Sequence, residues 1–196
     1  DYVGGVSIGS LVGAGYVLDQ DSKTIETNLR HLVDSKYDYT APIIAALSGK
    51  SVNETLQNGL LDIDMTDLWQ PFFIVSSNLT TADIAVHQEG ALWHNVRASV
   101  SVPGILPPVV ENGQLLVDGA LLNAIPIDVM KKMLHGGHII AVDVSEDTEG
   151  EMFEAYGDAV SGWKLLLNRI NPFSHTIQTP NIASIFYRVT EMGSLH

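Results

Sequence analysis

Asp1-Tyr2-Val3-Gly4-Gly5-Val6-Ser7-Ile8-Gly9-Ser10-Leu11 decides how this chain is read. Residues 1–6 have the form of the end of a buried strand. Residues 8–18 are rich in Gly, Ala, Leu and Val and predict a buried helix. Between them, Gly5-Val6-Ser7-Ile8-Gly9 matches G-x-S-x-G at a strand-to-helix turn, where a nucleophile elbow belongs. A serine strained into such a turn needs neighbours without bulk two positions away. Gly5 and Gly9 occupy those positions. The helix that starts at Ile8 directs its positive end at the site, and the Ile8 N–H is the natural donor to a developing oxyanion. The alternative is a Gly-rich turn whose serine only caps the helix.

Strand and helix signals alternate along the rest of the chain, which predicts an α/β fold. Helices are expected over 24–33, from a capping box at Ser51-Val52-Asn53-Glu54 to about residue 57, over 92–100, and from Pro126 to Gly136. Phe72-Phe73-Ile74-Val75 reads as a buried strand, with residues 83–87 as its antiparallel neighbour. Asn112-Gly113 between Val109-Val110 and Leu115-Leu116-Val117 signals a hairpin. Residues 138–144 read as another buried strand, 146–154 as an acidic loop, and 158–170 and 181–192 as closing helices.

The 196 residues are 45% apolar and 17% charged, which suits a packed core and excludes disorder. The formal net charge of −13 repels phosphate backbones, so no nucleic-acid partner is expected. The absence of cysteine excludes disulfides, thiolate metal sites and a cysteine nucleophile. No stretch reaches the roughly 20 apolar residues of a membrane span.

A serine nucleophile needs a base within reach. The seven histidines are His31, His87, His94, His135, His138, His175 and His196. Only His175 weakly fits a triad. Asp118, ending the apolar run Leu115-Leu116-Val117 and followed by Gly119, is the better candidate, because α/β sites form at the carboxyl ends of strands. Burial beside the serine would raise its proton affinity. A turn-forming Asp-Gly is the alternative reading. Asp143 also ends an apolar run and ranks second. Arg97 is expected to pair with an acid on a neighbouring element, in preference to shaping the site. His87 is expected to face solvent. The stretch Trp163, Leu165, Leu166, Leu167 is expected in the core, with a lipid-facing surface as the alternative. His135 and His138 lack a suitably spaced carboxylate, so no metal site is expected.

Together these features resemble the patatin-like phospholipases, which pair Gly-x-Ser-x-Gly with a later Asp-Gly-Gly or Asp-Gly-Ala. Ser7 matches the first motif and Asp118-Gly119-Ala120 the second. The likeness is to the neuropathy target esterase (lysophospholipase) branch above all. It is carried by Asp67-Leu68-Trp69-Gln70-Pro71-Phe72-Phe73, Val86-His87, Gly90, Leu92-Trp93, Val96-Arg97-Ala98-Ser99 and Pro103-Gly104-Ile105-Leu106-Pro107-Pro108. Gly157-Asp158, Ser161-Gly162-Trp163 and Arg169-Ile170-Asn171-Pro172-Phe173 extend it.

The resemblance implies a three-layer fold, a mostly parallel sheet between helices, over one domain spanning 1–196. It implies Ser–Asp hydrolysis of lysophospholipid or phospholipid acyl esters without cofactor or metal, and possible peripheral membrane contact. The implied location is the cytoplasm or the cytoplasmic face of a membrane. The family's Gly-rich oxyanion loop ahead of the serine strand has no counterpart here, so the domain is expected to be truncated at its N-terminus. Where the family tends to carry paired asparagines, this chain has Asn123-Ala124, and Asn123 is expected to order the Asp118 loop. Two rival readings remain. One is a Ser7–Asp143–His175 triad. The other is a catalytically idle lipid-binding or interaction domain, favoured by the missing loop.

Overall fold

The computed structural model describes residues 1–34, 45–134 and 136–144. The expected elements at 146–154, 158–170 and 181–192, together with Trp163 and His175, lie outside the described residues, as does His135.

Strand β1 (Val3–Val6) leads through Ser7 into helix α1 (Ile8–Val17). Helices α2 (Ser22–Asp34) and α3 (Lys50–Leu60) follow. Strand β2 (Phe72–Asn78) is buried along its whole length, and β3 (Asp83–His87) folds back on it. Helix α4 (Leu92–Ser99), the hairpin β4 (Val109–Glu111) and β5 (Gln114–Asp118), and helix α5 (Ile127–Met133) complete the described chain.

The alternation of β2 sorts its side chains onto two faces. Phe72 and Ile74 pack with Leu11 and Ala14 of α1, Leu56 and Leu60 of α3, and Leu92 and Val96 of α4. Phe73 and Val75 point the other way, with Val6, toward Val129, Met130 and Met133 of α5. The sheet therefore lies between helical layers. Each apolar side chain fully buried in this way contributes roughly 1.5–3 kcal/mol. Leu29 and Leu32 of α2 pack against the larger cluster, as their one-turn spacing predicts.

The described sheet is mixed, not mostly parallel. Only β1 and β2 run parallel, whereas β2–β3, β2–β5 and β4–β5 are antiparallel. The short connections Leu79-Thr80-Thr81-Ala82 and Asn112-Gly113 leave no room for the crossover that a parallel pair requires.

The topology around β2 positions the site. Ile74 and Val75 pair with both β1 and β3, and Ser76 to Asn78 pair with both β3 and β5. Strands β1 and β5 therefore share one edge of β2 and run toward each other along it. Val6 sits opposite Val75, and Asp118 sits opposite Ser76, the next rung. The carboxyl ends of two strands meet head to head.

Two expectations fail here. The capping box does not open α3. Its N-cap is Gly49, held at φ 80°, and Ser51 is already helical. Asn53 instead accepts a hydrogen bond from Arg97 Nε at 2.8 Å. A Cβ at Gly49 would lie 2.7 Å from an Arg97 nitrogen, so glycine is required by both backbone and neighbour. Residues 138–144 form no strand and are largely exposed, Ile140 at 91% and Val142 at 77%. No described strand pairs with them, and an apolar run becomes a strand only where a sheet edge receives it.

Candidate active site

Ser7 occupies φ 51°, ψ −128°, a conformation that L residues rarely adopt. The strain is maintained by close packing on both sides of the turn. A methyl at Gly5 would lie 2.5 Å from the Gly9 carbonyl oxygen and 2.6 Å from Ser10 Cα. Ser10, fully buried, donates its hydroxyl proton to the Ser7 carbonyl at 2.6 Å, and its N–H reaches the same oxygen at 2.9 Å. The requirement for small residues divides unevenly between the two motif glycines. At Gly9 a Cβ would meet nothing within 4 Å. The packing reason given for both positions therefore holds at Gly5 and fails at Gly9, whose Cβ direction faces open space.

Ser7 Oγ donates a hydrogen bond to Asp118 Oδ2 at 2.7 Å, across 111 positions of sequence. Ser7 is half-buried and Asp118 is buried, with 1% of its surface exposed. The Ala120 N–H donates to Asp118 Oδ1 at 2.8 Å, so both carboxylate oxygens are engaged. Burial pushes the Asp118 carboxyl up to about 6, against the opposing pull of the bonds from Ser7 and Ala120. The carboxyl still ionises near neutral pH, and it holds a proton far better than an exposed aspartate does.

Gly119 lets the chain leave Asp118 without collision. A Cβ there would lie 2.2 Å from the Val75 carbonyl oxygen and 2.9 Å from Val6 Cγ1. Asn123 reaches the loop through its backbone, its N–H donating to Gly119 O at 3.0 Å. Its side-chain amide donates to Asp128 of α5 at 2.7 Å, which holds that carboxyl below the usual range. Ile8 is the first residue of α1, so its N–H has no acceptor within the helix.

The remaining candidates lie elsewhere or are held differently. Asp143 stands in the exposed stretch 138–144. Arg97 pairs with no acid in the described contacts. It is buried and donates to Asn53, to Ser101 Oγ and to the Pro107 carbonyl. Burial draws its guanidinium down to about 10, which leaves it charged at neutral pH. His87 is half-buried and does not simply face solvent. Its Nε2 lies 2.7 Å from Ser76 Oγ, and burial lowers its proton affinity.

Two contacts of the site come from residues to which the sequence assigned no role. Ser99 Oγ accepts the Ser7 N–H at 2.8 Å, and the Ser101 carbonyl accepts the Asp118 N–H at 3.0 Å. Both residues follow Arg97 in the stretch Arg97-Ala98-Ser99-Val100-Ser101.

Among the described residues no helix is long and apolar enough to cross a membrane. The family model described as "Patatin-like phospholipase" matches residues 1–131. "Patatin-like phospholipase domain-containing protein 6" of Mus musculus is 34% identical over 198 residues, covering 96% of this chain and 14% of the relative. "Neuropathy target esterase sws" of Drosophila melanogaster is 35% identical with the same coverage. "Lysophospholipase NTE1" of Mycosarcoma maydis is 35% identical over all of this chain and 11% of its own length. The chain thus spans about one seventh of the first two relatives and one ninth of the third. With the strained serine turn and the Asp-Gly-Ala strand end in one sheet, and with a match over residues 1–131, the chain belongs to the patatin-like phospholipase family.

Proposed function

We propose that this domain is a serine hydrolase that cleaves the carboxyl ester of lysophospholipids and related phospholipids, with Ser7 as nucleophile and Asp118 as base. The observation that carries the reading is the 2.7 Å hydrogen bond from Ser7 Oγ to a buried carboxylate whose proton affinity is raised. A base near the working pH accepts a proton readily and also returns it. The names of the relatives, a lysophospholipase and a phospholipase-domain protein, support the substrate class.

In this reading Ser7 Oγ attacks the ester carbonyl while its proton passes to Asp118. The tetrahedral intermediate collapses, and protonated Asp118 gives its proton to the departing alcohol. Water then attacks the acyl-enzyme, delivering a proton to Asp118, which returns it to Ser7. The Ile8 N–H and the positive end of α1 are the described groups available to the oxyanion. Peripheral contact with a membrane would bring the domain to its lipid through apolar contact, since its net negative charge gains nothing from anionic headgroups.

The test is fatty-acid release from a lysophospholipid by the full-length protein. Ser7→Ala and Asp118→Asn should each lower the rate by roughly 10³-fold or more while the protein stays folded. Hydrolysis at the wild-type rate by folded Ser7→Ala would exclude Ser7 as the nucleophile.

A further inference from the structure

The end of α4 holds both halves of the site, through two different atoms two residues apart. Ser99 is fully buried. A serine hydroxyl has one proton to give and two lone pairs to accept with. Ser99 gives its proton to the Val75 carbonyl at 2.6 Å, which leaves its lone pairs to take the Ser7 N–H at 2.8 Å. The direction of both bonds is thereby fixed. Val75 is the rung opposite Val6, and its carbonyl oxygen is the atom nearest to where a Cβ on Gly119 would stand. The same hydroxyl therefore ties the nucleophile's backbone to the point on β2 where the Asp118 loop passes.

Two residues on, the Ser101 carbonyl takes the Asp118 N–H. Ser101 is itself buried, and its hydroxyl donates to the Arg97 carbonyl at 2.6 Å. Arg97 donates to Ser101 Oγ and anchors the segment to Asn53 of α3 and to the Pro107 carbonyl. The helix end is braced from three sides, and the backbone N–H groups of Ser7 and Asp118 are both bonded to it.

We infer that Ser99 is a positioning residue for the nucleophile: its hydroxyl, fixed by the Val75 carbonyl, sets the Ser7 turn at the height that lets Ser7 Oγ meet Asp118. The inference rests on the Ser7–Asp118 reading above. Ser99 acts through Ser7 and touches no substrate. By engaging the Ser7 N–H it also removes that group from the donors open to an oxyanion. Losing the bond lets the strained turn relax, and a displacement of about 1 Å at a reacting atom can cost on the order of 100-fold in rate.

The experiment follows phosphonylation of Ser7 by a fluorophosphonate probe, in which the Ser7 oxygen displaces fluoride from phosphorus, and kcat and KM for lysophospholipid, in the full-length protein. Ser99→Ala removes the hydroxyl. Ser99→Cys is slightly larger and has only a weak donor and acceptor, and it serves should the alanine variant fail to fold. Ala98→Gly loosens the same helix end without touching Ser7, and Ser99→Thr restores a hydroxyl. The expected result is a roughly 10- to 100-fold loss of labelling rate and kcat in folded Ser99→Ala or Ser99→Cys, with KM within about twofold. Ala98→Gly should stay within about twofold of wild type at a comparable loss of thermal midpoint, and Ser99→Thr should recover part of the rate. Folded Ser99→Cys labelled at the wild-type rate, or losing no more than Ala98→Gly, overturns the positioning role alone. Failure of the wild-type protein to be labelled at Ser7 overturns the underlying reading and this inference with it.

Discussion

At the scale of single residues, the two glycines of G-x-S-x-G look equivalent in sequence and are not equivalent in the fold. Alanine at Gly5 would drive a methyl into the backbone of the next helical turn, at 2.5 Å from the Gly9 oxygen. Alanine at Gly9 would enter open space within a helix, where alanine is favoured over glycine by roughly 0.5–1 kcal/mol. Thermal denaturation of the two variants should therefore separate them. Gly5→Ala is expected to lose several degrees or fail to fold, and Gly9→Ala to melt at or slightly above wild type. An equal loss in both would refute this division. Asp118 was legible as a strand-end carboxylate, since apolar Leu115-Leu116-Val117 preceded it. Its contact with Ser7 was not, because residues 111 positions apart meet only through the pairing of β1 and β5 along β2. Ser99 and Arg97 were harder still. A buried hydroxyl and a buried guanidinium leave the same trace in a sequence as exposed ones do.

At the scale of elements, local chemistry that fixes its own backbone was read well, and chemistry that depends on a neighbour was not. The Asn112-Gly113 hairpin formed where expected, with both residues at positive φ, 49° and 75°, as a type I′ turn demands. A Cβ at Gly113 would touch nothing, so Gly113→Ala meets backbone strain alone. That strain costs about 1 kcal/mol, or about 2–4 °C in midpoint for a chain of this size. Turnover should stay within about twofold, because the turn lies at the opposite end of β5 from Asp118. A melting curve and a turnover assay on one preparation check both halves. The start of α3 and the run 138–144 were misread for the converse reason. Gly49 caps the helix at φ 80°, with an Arg97 nitrogen from α4 lying 2.7 Å from where a Cβ would stand, and residues 138–144 have strand composition without a described strand to pair with.

At the scale of the whole molecule, the described part of this acidic chain keeps its charges outside with few exceptions. Among the described residues, Arg97 and Asp118 are the buried charged groups. Both lie on the structure that brings Ser7 and Asp118 together, Arg97 bracing the end of α4 and Asp118 ending β5. Their burial is made possible by full hydrogen bonding: among the described residues no buried side-chain nitrogen or oxygen lacks a partner. Burial also has the sharpest functional consequence. In the proposed mechanism Asp118 must be ionised to take the Ser7 proton, and burial raises its pKa to about 6. Under that proposal, lowering the pH through that value protonates Asp118 and removes its function as base. The direct measurement is the rate of Ser7 phosphonylation by a fluorophosphonate in the full-length protein, followed from about pH 5 to about pH 8. The expected profile is a plateau above an apparent pKa near 6, a fall of roughly tenfold per unit well below it, and loss of the pH-dependent rate in Asp118→Asn. A rate that is flat across this range, or a folded Asp118→Asn variant labelled as fast as wild type, would contradict Asp118 as the base.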